Sequence, residues 1–177
     1  ALLSVSDKSD LIPLAQALVN VKCELYASGG TLAALKEAGF DAYSIEKISR
    51  SPEAFQGRMK TLSFPVFGGI LARRSDPSDD LDREKLGIPL LDVVVVNFYP
   101  FEKAPLDANE AALTELIDIG GPALVRAAAK NQKDVLVLSD PLLYGGAIRE
   151  LQEKGAVSRE LRKKAASRAW ASICAYD

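Results

Sequence analysis

The stretch Leu91-Asp92-Val93-Val94-Val95-Val96-Asn97 decides the fold of this chain. Its consecutive valines favour a strand, and an apolar run without polar alternation is typical of a strand buried on both faces of a parallel sheet. Parallel neighbours need long crossover connections, which are usually helices. The stretch therefore predicts an α/β protein with helices on both faces of a central sheet.

Outward from this strand, short apolar runs alternate with helical patterns. We expect further strands over residues 1–5, 21–27, 41–45 and 134–138, and helices over residues 10–19, 31–38, 108–117, 122–130, 142–154 and 158–175. This alternation predicts a three-layer α/β/α fold with a mainly parallel central sheet. The charged, Pro- and Asp-rich residues 73–83 are expected to form an exposed loop or lid.

The composition is that of one globular domain over residues 1–177, with 48% hydrophobic and 26% charged residues. Lys and Arg number 22 against 24 Asp and Glu, a net charge of -2. That balance argues against nucleic acid or an anionic membrane as the partner. No apolar run suggests a membrane span, and the first residues lack a basic leader, so we expect a cytoplasmic protein.

Histidine is absent, which excludes several kinds of site. The chain can form no Ser-His-Asp or Cys-His pair and no His-ligated metal centre, so proton transfer would use Asp, Glu, Lys, Tyr or water. Cys23 and Cys174 are too few for a Cys-rich zinc site. We expect both to be buried reduced thiols, with one disulfide as the alternative. No metal or cofactor is implied.

A carboxylate, two glycines and a proline precede an alanine-rich helical pattern. The stretch reads Ile117-Asp118-Ile119-Gly120-Gly121-Pro122 and continues through Arg126 to Lys130. Proline suits the first helical position, and the glycines leave backbone N–H groups open to an anion. Arg126 and Lys130 lie four residues apart and share one helix face. The stretch is a candidate phosphate site, or else a helix that needs a tight turn before it.

Polar or glycine-rich segments follow three predicted strands: Ser6-Asp7-Lys8, Ser28-Gly29-Gly30-Thr31 and Asn97-Phe98-Tyr99-Pro100. Ligands of open parallel sheets bind beyond the carboxyl ends of the strands, near a switch in strand order. Singly, these segments could be turns, with Thr31 or the first segment capping the helix that follows. Their joint placement at one sheet edge favours a binding site.

A fourth segment, Gly57-Arg58-Met59-Lys60-Thr61-Leu62, carries two bases and a hydroxyl. In an extended conformation, Arg58 and Lys60 project to the same side. Taken alone, the segment is more typical of a solvated basic loop.

In this order, the segments resemble the inosine monophosphate (IMP) cyclohydrolase domain of the bifunctional purine-biosynthesis enzyme. The similar stretches are residues 4–8, 28–31, 57–62, 69–73, 97–101, 117–121, 126–131 and 175–177, so the resemblance spans essentially the whole chain. It implies the fold shared with methylglyoxal synthase and a homodimer. It also implies that a purine ribotide, 5-formamidoimidazole-4-carboxamide ribotide, closes to the product IMP with loss of water. The family's AICAR transformylase domain is missing here, so the chain is a fragment or a self-standing version.

The resemblance assigns site residues one by one. Those that would hold the ribose phosphate and sugar are Ser6, Asp7, Lys8, Ser28, Gly29, Gly30 and Thr31. Those that would surround the base are Arg58, Lys60, Thr61, Asn97, Tyr99, Asp118, Gly120, Gly121 and Lys130. Lys60 and Thr61 would stabilise the tetrahedral oxyanion, and Tyr99 would donate to the same oxygen network. Asp118 would accept the amide proton, while Lys130 would orient it and help to expel hydroxide.

The chain departs from the family at positions where histidine is usual, namely Ser63, Phe67, Gln132 and Ser172. The Lys, Asp and Tyr positions are intact, so the resemblance still implies an enzyme of the cyclic amidine hydrolase class, acting in the dehydrating direction. One alternative is a non-catalytic purine-nucleotide-binding regulatory module on the same fold. Another is phosphate elimination of the methylglyoxal-synthase kind, which relies on a histidine.

Overall fold

A parallel sheet forms the centre of the molecule in a computed structural model that describes residues 1–99 and 109–177, apart from the side chain of Gln56. The described strands are β1 (Leu2–Val5), β2 (Leu25–Ala27), β3 (Ala42–Ser44), β4 (Val93–Asn97) and β5 (Leu136–Leu138). Their order is β3-β2-β1-β4-β5, and every pairing among them is parallel. The α/β fold predicted from the sequence is confirmed.

Helices follow the strands along the chain. They are α1 (Leu11–Asn20), α2 (Gly29–Glu37), α3 (Glu46–Ser49), α4 (Phe64–Leu71), α5 (Pro77–Leu86), α6 (Glu110–Glu115), α7 (Gly120–Lys130), α8 (Tyr144–Lys154) and α9 (Arg159–Tyr176), with 3-10 turns at Phe55–Gly57 and Pro141–Leu143. The expected elements are present with shifted ends, whereas α3, α4 and α5 were not anticipated. Ala108, where one helix was expected to begin, lies outside the described residues.

Strand β4 shows how the sheet divides the core in two. Val93 and Val95 pack with α1 and α8 on one face, while Val94 and Val96 pack with α4 and α7 on the other. Successive side chains of a strand point to opposite faces, so an unbroken valine run serves both cores at once. Helix α9 contributes alanines to both clusters.

Residues 73–83 were expected to be a loop or lid, and the loop expectation was wrong because they run into helix α5. The Asp76 carboxylate accepts a hydrogen bond from the Ser78 N–H at 3.0 Å, and Pro77 follows it at the start of the helix. Hydrogen bonds from Arg73 lower the pKa of Asp79 to about 2. The exposure was predicted correctly, since no residue of α5 is buried. A cap and a loop share the same residue types, which is why composition misled here.

Cys174 corrects the expectation of two buried thiols. Cys23 is half-buried and Cys174 is exposed, and both are free. On α9, the buried side chains are Ala165, Ala166, Ala169 and Ile173. Cys174 follows the last of these and turns away from the core. Among the described helices, none combines the length and apolarity needed to cross a membrane.

Gly69 in α4 lies against the chain between α5 and β4. A Cβ atom at this position would lie 2.3 Å from the Pro89 carbonyl oxygen, which belongs to the backbone and cannot rotate away. We expect Gly69→Ala to lower the free energy of unfolding by about 1–3 kcal/mol through overpacking. Urea unfolding measures the change.

The matched control for this substitution is Gly145→Ala in α8, where a Cβ would meet nothing within 4 Å. Alanine is the better helix former by up to about 1 kcal/mol, so this variant should be as stable as the parent or more so. Equal unfolding midpoints for Gly69→Ala and the parent would show that the close contact with Pro89 carries no cost.

Candidate functional site

A cleft of about 790 Å³ lies at the carboxyl ends of β1, β2 and β4. Strand order reverses between β1 and β4, because the chain adds β2 and β3 on one side of β1 and later adds β4 and β5 on the other. The cleft brings together most residues that the sequence singled out: Ser6, Lys8, Ser28, Gly29, Gly30, Thr31, Arg58, Lys60, Thr61, Asn97, Tyr99, Asp118, Gly120 and Gly121.

Two lysines converge on the first turn of α2. A Cβ atom at Gly30 would lie 3.8 Å from Lys8 Nζ, and one at Gly29 would lie 3.4 Å from Lys60 Nζ. Backbone N–H groups at a helix start carry partial positive charge, and two ammonium groups beside them strengthen the attraction for an anion. Gly29 has a φ of +51°, a conformation that side chains rarely adopt. This end of the cleft can therefore attract an anionic group.

Thr31 and Asp7 have structural contacts that the sequence did not reveal. The Thr31 hydroxyl accepts a hydrogen bond from the Val5 N–H at 2.9 Å and donates to the Val5 carbonyl at 3.2 Å, which ties α2 to β1. Thr31 lies inside α2 rather than at its cap, so the capping alternative was wrong. The Asp7 carboxylate accepts hydrogen bonds from Ser9 before α1, and Asp7 does not line the cleft.

Asn97 joins the end of β4 to the loop after β1. Its Oδ1 accepts the N–H groups of Ser6 and Asp7 at 2.8 and 2.9 Å, and its Nδ2 donates to the Asp7 carbonyl at 2.8 Å. The side chain is buried, and these bonds fix the end of β4 relative to the loop after β1. Asn97 thus shapes the site as well as lining it.

Replacement of Asn97 by alanine removes all three bonds at once. Because it leaves polar backbone groups without their partner, we expect a loss of about 1–3 kcal/mol in the free energy of unfolding, measured in urea. Asn20→Ala is the matched control. The Asn20 side chain is exposed at the end of α1 and accepts a hydrogen bond from the exposed Gln16, so its loss should stay within about 0.5 kcal/mol. Similar midpoints for the two variants would contradict this role for Asn97.

Carboxylates partner two cations of the cleft. Lys60 Nζ lies 2.7 Å from Glu53 Oε2, and Arg58 forms an ion pair with Glu115. A hydrogen bond from Arg58 lowers the pKa of Glu115, which keeps the pair ionised. Sequence reasoning missed both glutamates, although both line the cleft. An anionic ligand therefore competes with built-in carboxylates for these cations.

Asp118 lies in the turn that leads into α7. Its Oδ1 accepts the Gly121 N–H at 2.8 Å, and its own N–H donates to the Tyr176 hydroxyl at 2.7 Å. A Cβ at Gly121 would lie 2.1 Å from Asp118 Oδ2, so glycine leaves room for this carboxylate. A Cβ at Gly120 would lie 3.1 Å from Thr61 Oγ1, which places the segment with Lys60 beside this turn.

Lys130 is not brought into the cleft of its own chain. It is the last residue of α7 and is exposed, whereas the cleft meets the first residues of that helix. The rise of an α-helix separates the two ends by about 15 Å. Helical spacing correctly placed Lys130 on the same helix but did not say which end faces the ligand.

Tyr99 lies at the rim of the cleft and is 37% exposed. Pro100 and Phe101, which complete its sequence block, lie outside the described residues. The positions where histidine is usual in the family do not line the cleft; they are Ser63, Phe67, Gln132 and Ser172.

The sheet order and the position of the cleft between β1 and β4 place the chain in the class of open parallel α/β domains. Residues 10–123 match the model of the MGS-like domain, and the chain belongs to that family. Residues 128–177 match the AICARFT/IMPCHase bienzyme model. The resemblance to the IMP cyclohydrolase domain of the bifunctional purine-biosynthesis enzyme, expected from the sequence, is confirmed.

Relatives with known names agree with these matches. The chain is 48% identical over 180 residues to the bifunctional purine biosynthesis protein PurH of Synechocystis sp., and 46% identical over 179 residues to that of Dinoroseobacter shibae. All of the chain is covered, but only 35% and 34% of those proteins, so it spans about a third of their length. The crystal structure of ForH superposes with a TM-score of 0.91 at 36% identity, covering 100% of this chain and 92% of that one.

Proposed function

We propose that this chain is an IMP cyclohydrolase, which closes 5-formamidoimidazole-4-carboxamide ribotide to IMP with loss of water. The observation that carries the proposal is the meeting of Lys60, Thr61 and Asp118 in one cleft, beside an anion-binding helix start. A volume of about 790 Å³ suits a mononucleotide. The similarity to PurH proteins supports the same activity.

To catalyse this reaction, the protein mainly has to position the reacting groups of the substrate and to stabilise the negative charge that develops. The carboxamide nitrogen attacks the formyl carbon of the same molecule, the formyl oxygen takes up negative charge, and water then leaves. Holding both groups in a reactive rotamer removes much of the entropic cost of the attack. Fixed hydrogen-bond donors near the formyl oxygen stabilise the charge as it forms.

The two ends of the cleft suit the two ends of such a ribotide. We assign the phosphate to the start of α2, with Lys8, Ser6 and Ser28 around it. Lys60 beside the start of α2 and Thr61 beside the turn before α7 would both donate to the developing oxyanion, with Tyr99 at the rim. Asp118 would accept the proton of the carboxamide nitrogen. We assign Lys130 no role in the ring closure within the cleft of its own chain.

We propose that residues 1–177 act as a single cyclohydrolase domain, in the cytoplasm and as a homodimer, without a metal or cofactor. The matched family combines an AICAR transformylase with an IMP cyclohydrolase in one bienzyme. A transformylase of that kind would supply the formylated substrate.

The test is to incubate the purified chain with the formamido ribotide in the presence of EDTA and to follow purine absorbance. We expect IMP to form at a rate proportional to protein concentration. Tight binding of IMP without turnover would favour the non-catalytic nucleotide-binding module instead. Release of inorganic phosphate without purine would favour elimination of the methylglyoxal-synthase kind. Either result would overturn the cyclohydrolase.

A further inference from the structure

The last residue of helix α9, Tyr176, supports the loop that carries Asp118. Its hydroxyl accepts the Asp118 N–H at 2.7 Å and lies 3.5 Å from the Leu116 carbonyl, to which it donates. One hydroxyl thus bridges two residues of a short loop between α6 and α7. Leu116 and Asp118 both line the cleft, whereas Tyr176 stands behind them.

The ring of Tyr176 is held independently of its hydroxyl. It packs against Phe98 with ring centroids 4.9 Å apart and planes tilted by 48°. Phe98 follows β4 and directly precedes Tyr99 of the cleft rim. The neighbouring Asp177 forms an ion pair with Arg126 of α7. The end of α9 is therefore held by Phe98 after β4 and by Arg126 of α7.

Asp118 is restrained through two of its own groups. Its carboxylate accepts the Gly121 N–H at 2.8 Å, and its backbone N–H is held by Tyr176. The first bond alone fixes one oxygen but leaves the residue free to pivot about it. The second bond fixes the backbone and therefore sets the direction from which the carboxylate enters the cleft.

We propose that Tyr176 is a positioning residue, whose hydroxyl holds Asp118 in the orientation that accepts a proton from the substrate. This inference rests on the proposed cyclohydrolase activity. It assigns to Tyr176 no contact with the ribotide. The effect of its hydroxyl on turnover passes entirely through Asp118, and this makes it separable from a role in folding or in binding.

Tyr176→Phe is the appropriate variant because it keeps the ring against Phe98 and removes only the hydroxyl. We expect kcat to fall by about 10- to 100-fold, the cost of a small misplacement of a reacting group. The KM for the ribotide, the Kd for IMP and the urea midpoint should each stay close to those of the parent. Tyr43→Phe is the matched control. Its hydroxyl donates to Asp41 at the far edge of the sheet, so its kcat should not change.

A double-mutant cycle with Asp118→Asn supplies the decisive readout. If Tyr176 acts only through Asp118, Tyr176→Phe should lower kcat in the parent and leave kcat unchanged in the Asp118→Asn background. Equal losses in both backgrounds would overturn the inference. So would a normal kcat for Tyr176→Phe, or a loss confined to KM and the urea midpoint.

IMP formation by the parent chain distinguishes failure of the positioning role from failure of the proposed function. Absence of IMP formation by the parent overturns the cyclohydrolase, and the positioning role with it. IMP formation by the parent together with full activity of Tyr176→Phe overturns the positioning role alone.

Discussion

Replacement of Lys60 by alanine is expected to lower kcat for ring closure by about 10²–10³, the usual cost of removing one fixed donor to an oxyanion. The Lys60 side chain is only 27% exposed, and its ammonium lies beside Gly29 and 2.7 Å from Glu53. Glu53 holds this charge in the cleft before the substrate arrives, and the developing oxyanion then competes with Glu53 for the ammonium. Initial rates from purine absorbance at saturating ribotide measure the effect.

Two further variants make the Lys60 result specific. Lys60→Ala leaves Glu53 in the cleft without its partner, so the double variant with Glu53→Gln removes that stray charge. Its kcat should remain low if the ammonium itself is needed. Lys47→Ala is the control on the surface, where Lys47 lies 3.6 Å above the Tyr43 ring, and it should keep the parent's kcat. Recovery of kcat in the double variant would contradict the assigned role.

The second large effect is expected for Asp118→Asn, with a fall of about 10²–10⁴ in kcat, the usual contribution of a general base. Asparagine can still accept the Gly121 N–H through its amide oxygen, so the turn before α7 should keep its shape. The loss should therefore appear in kcat, with KM and the urea midpoint nearly unchanged. Single-turnover rates with excess protein give the chemical step directly.

Asp82→Asn, on the exposed face of α5, is the matched control and should behave like the parent. A loss in Asp118→Asn that appears in KM alone would move Asp118 from proton transfer to substrate binding. Near-parent turnover in both Lys60→Ala and Asp118→Asn would mean that the chemistry does not occur in this cleft.

The fold and the location of the cleft could be predicted because both depend on local patterns. The valine run of β4 has the composition of a strand buried on both faces, and glycine-rich segments such as Ser28-Gly29-Gly30 sit at strand ends. Parallel strands bring such ends to one edge whatever the loops between them do. Spacing along the chain therefore carried most of the information about where a ligand would bind.

The parts that could not be predicted depend on contacts between distant segments. Glu115 meets Arg58 from 57 positions away, and no local pattern marks a glutamate for that partner. Tyr176 reaches Asp118 from 58 positions away, through the way α9 packs on α7. The position of Lys130 outside the cleft of its own chain could not be predicted for a related reason, since helical periodicity gives the face of a helix but not which end meets the ligand.

The position of β1 in the sheet bears on how the polypeptide becomes active. One edge of β1 pairs with β2 nearby, but the other pairs with β4, and the Ser6–Asn97 bond across that pairing spans 91 positions. Contacts so far apart are slow to form, because a long loop must close before they contribute. Until then β1 presents a bare apolar edge of the kind that recruits other chains. The cleft between β1 and β4 therefore cannot form until the chain has been made as far as β4, and we expect a chain that stops short of β4 to expose this edge and to aggregate.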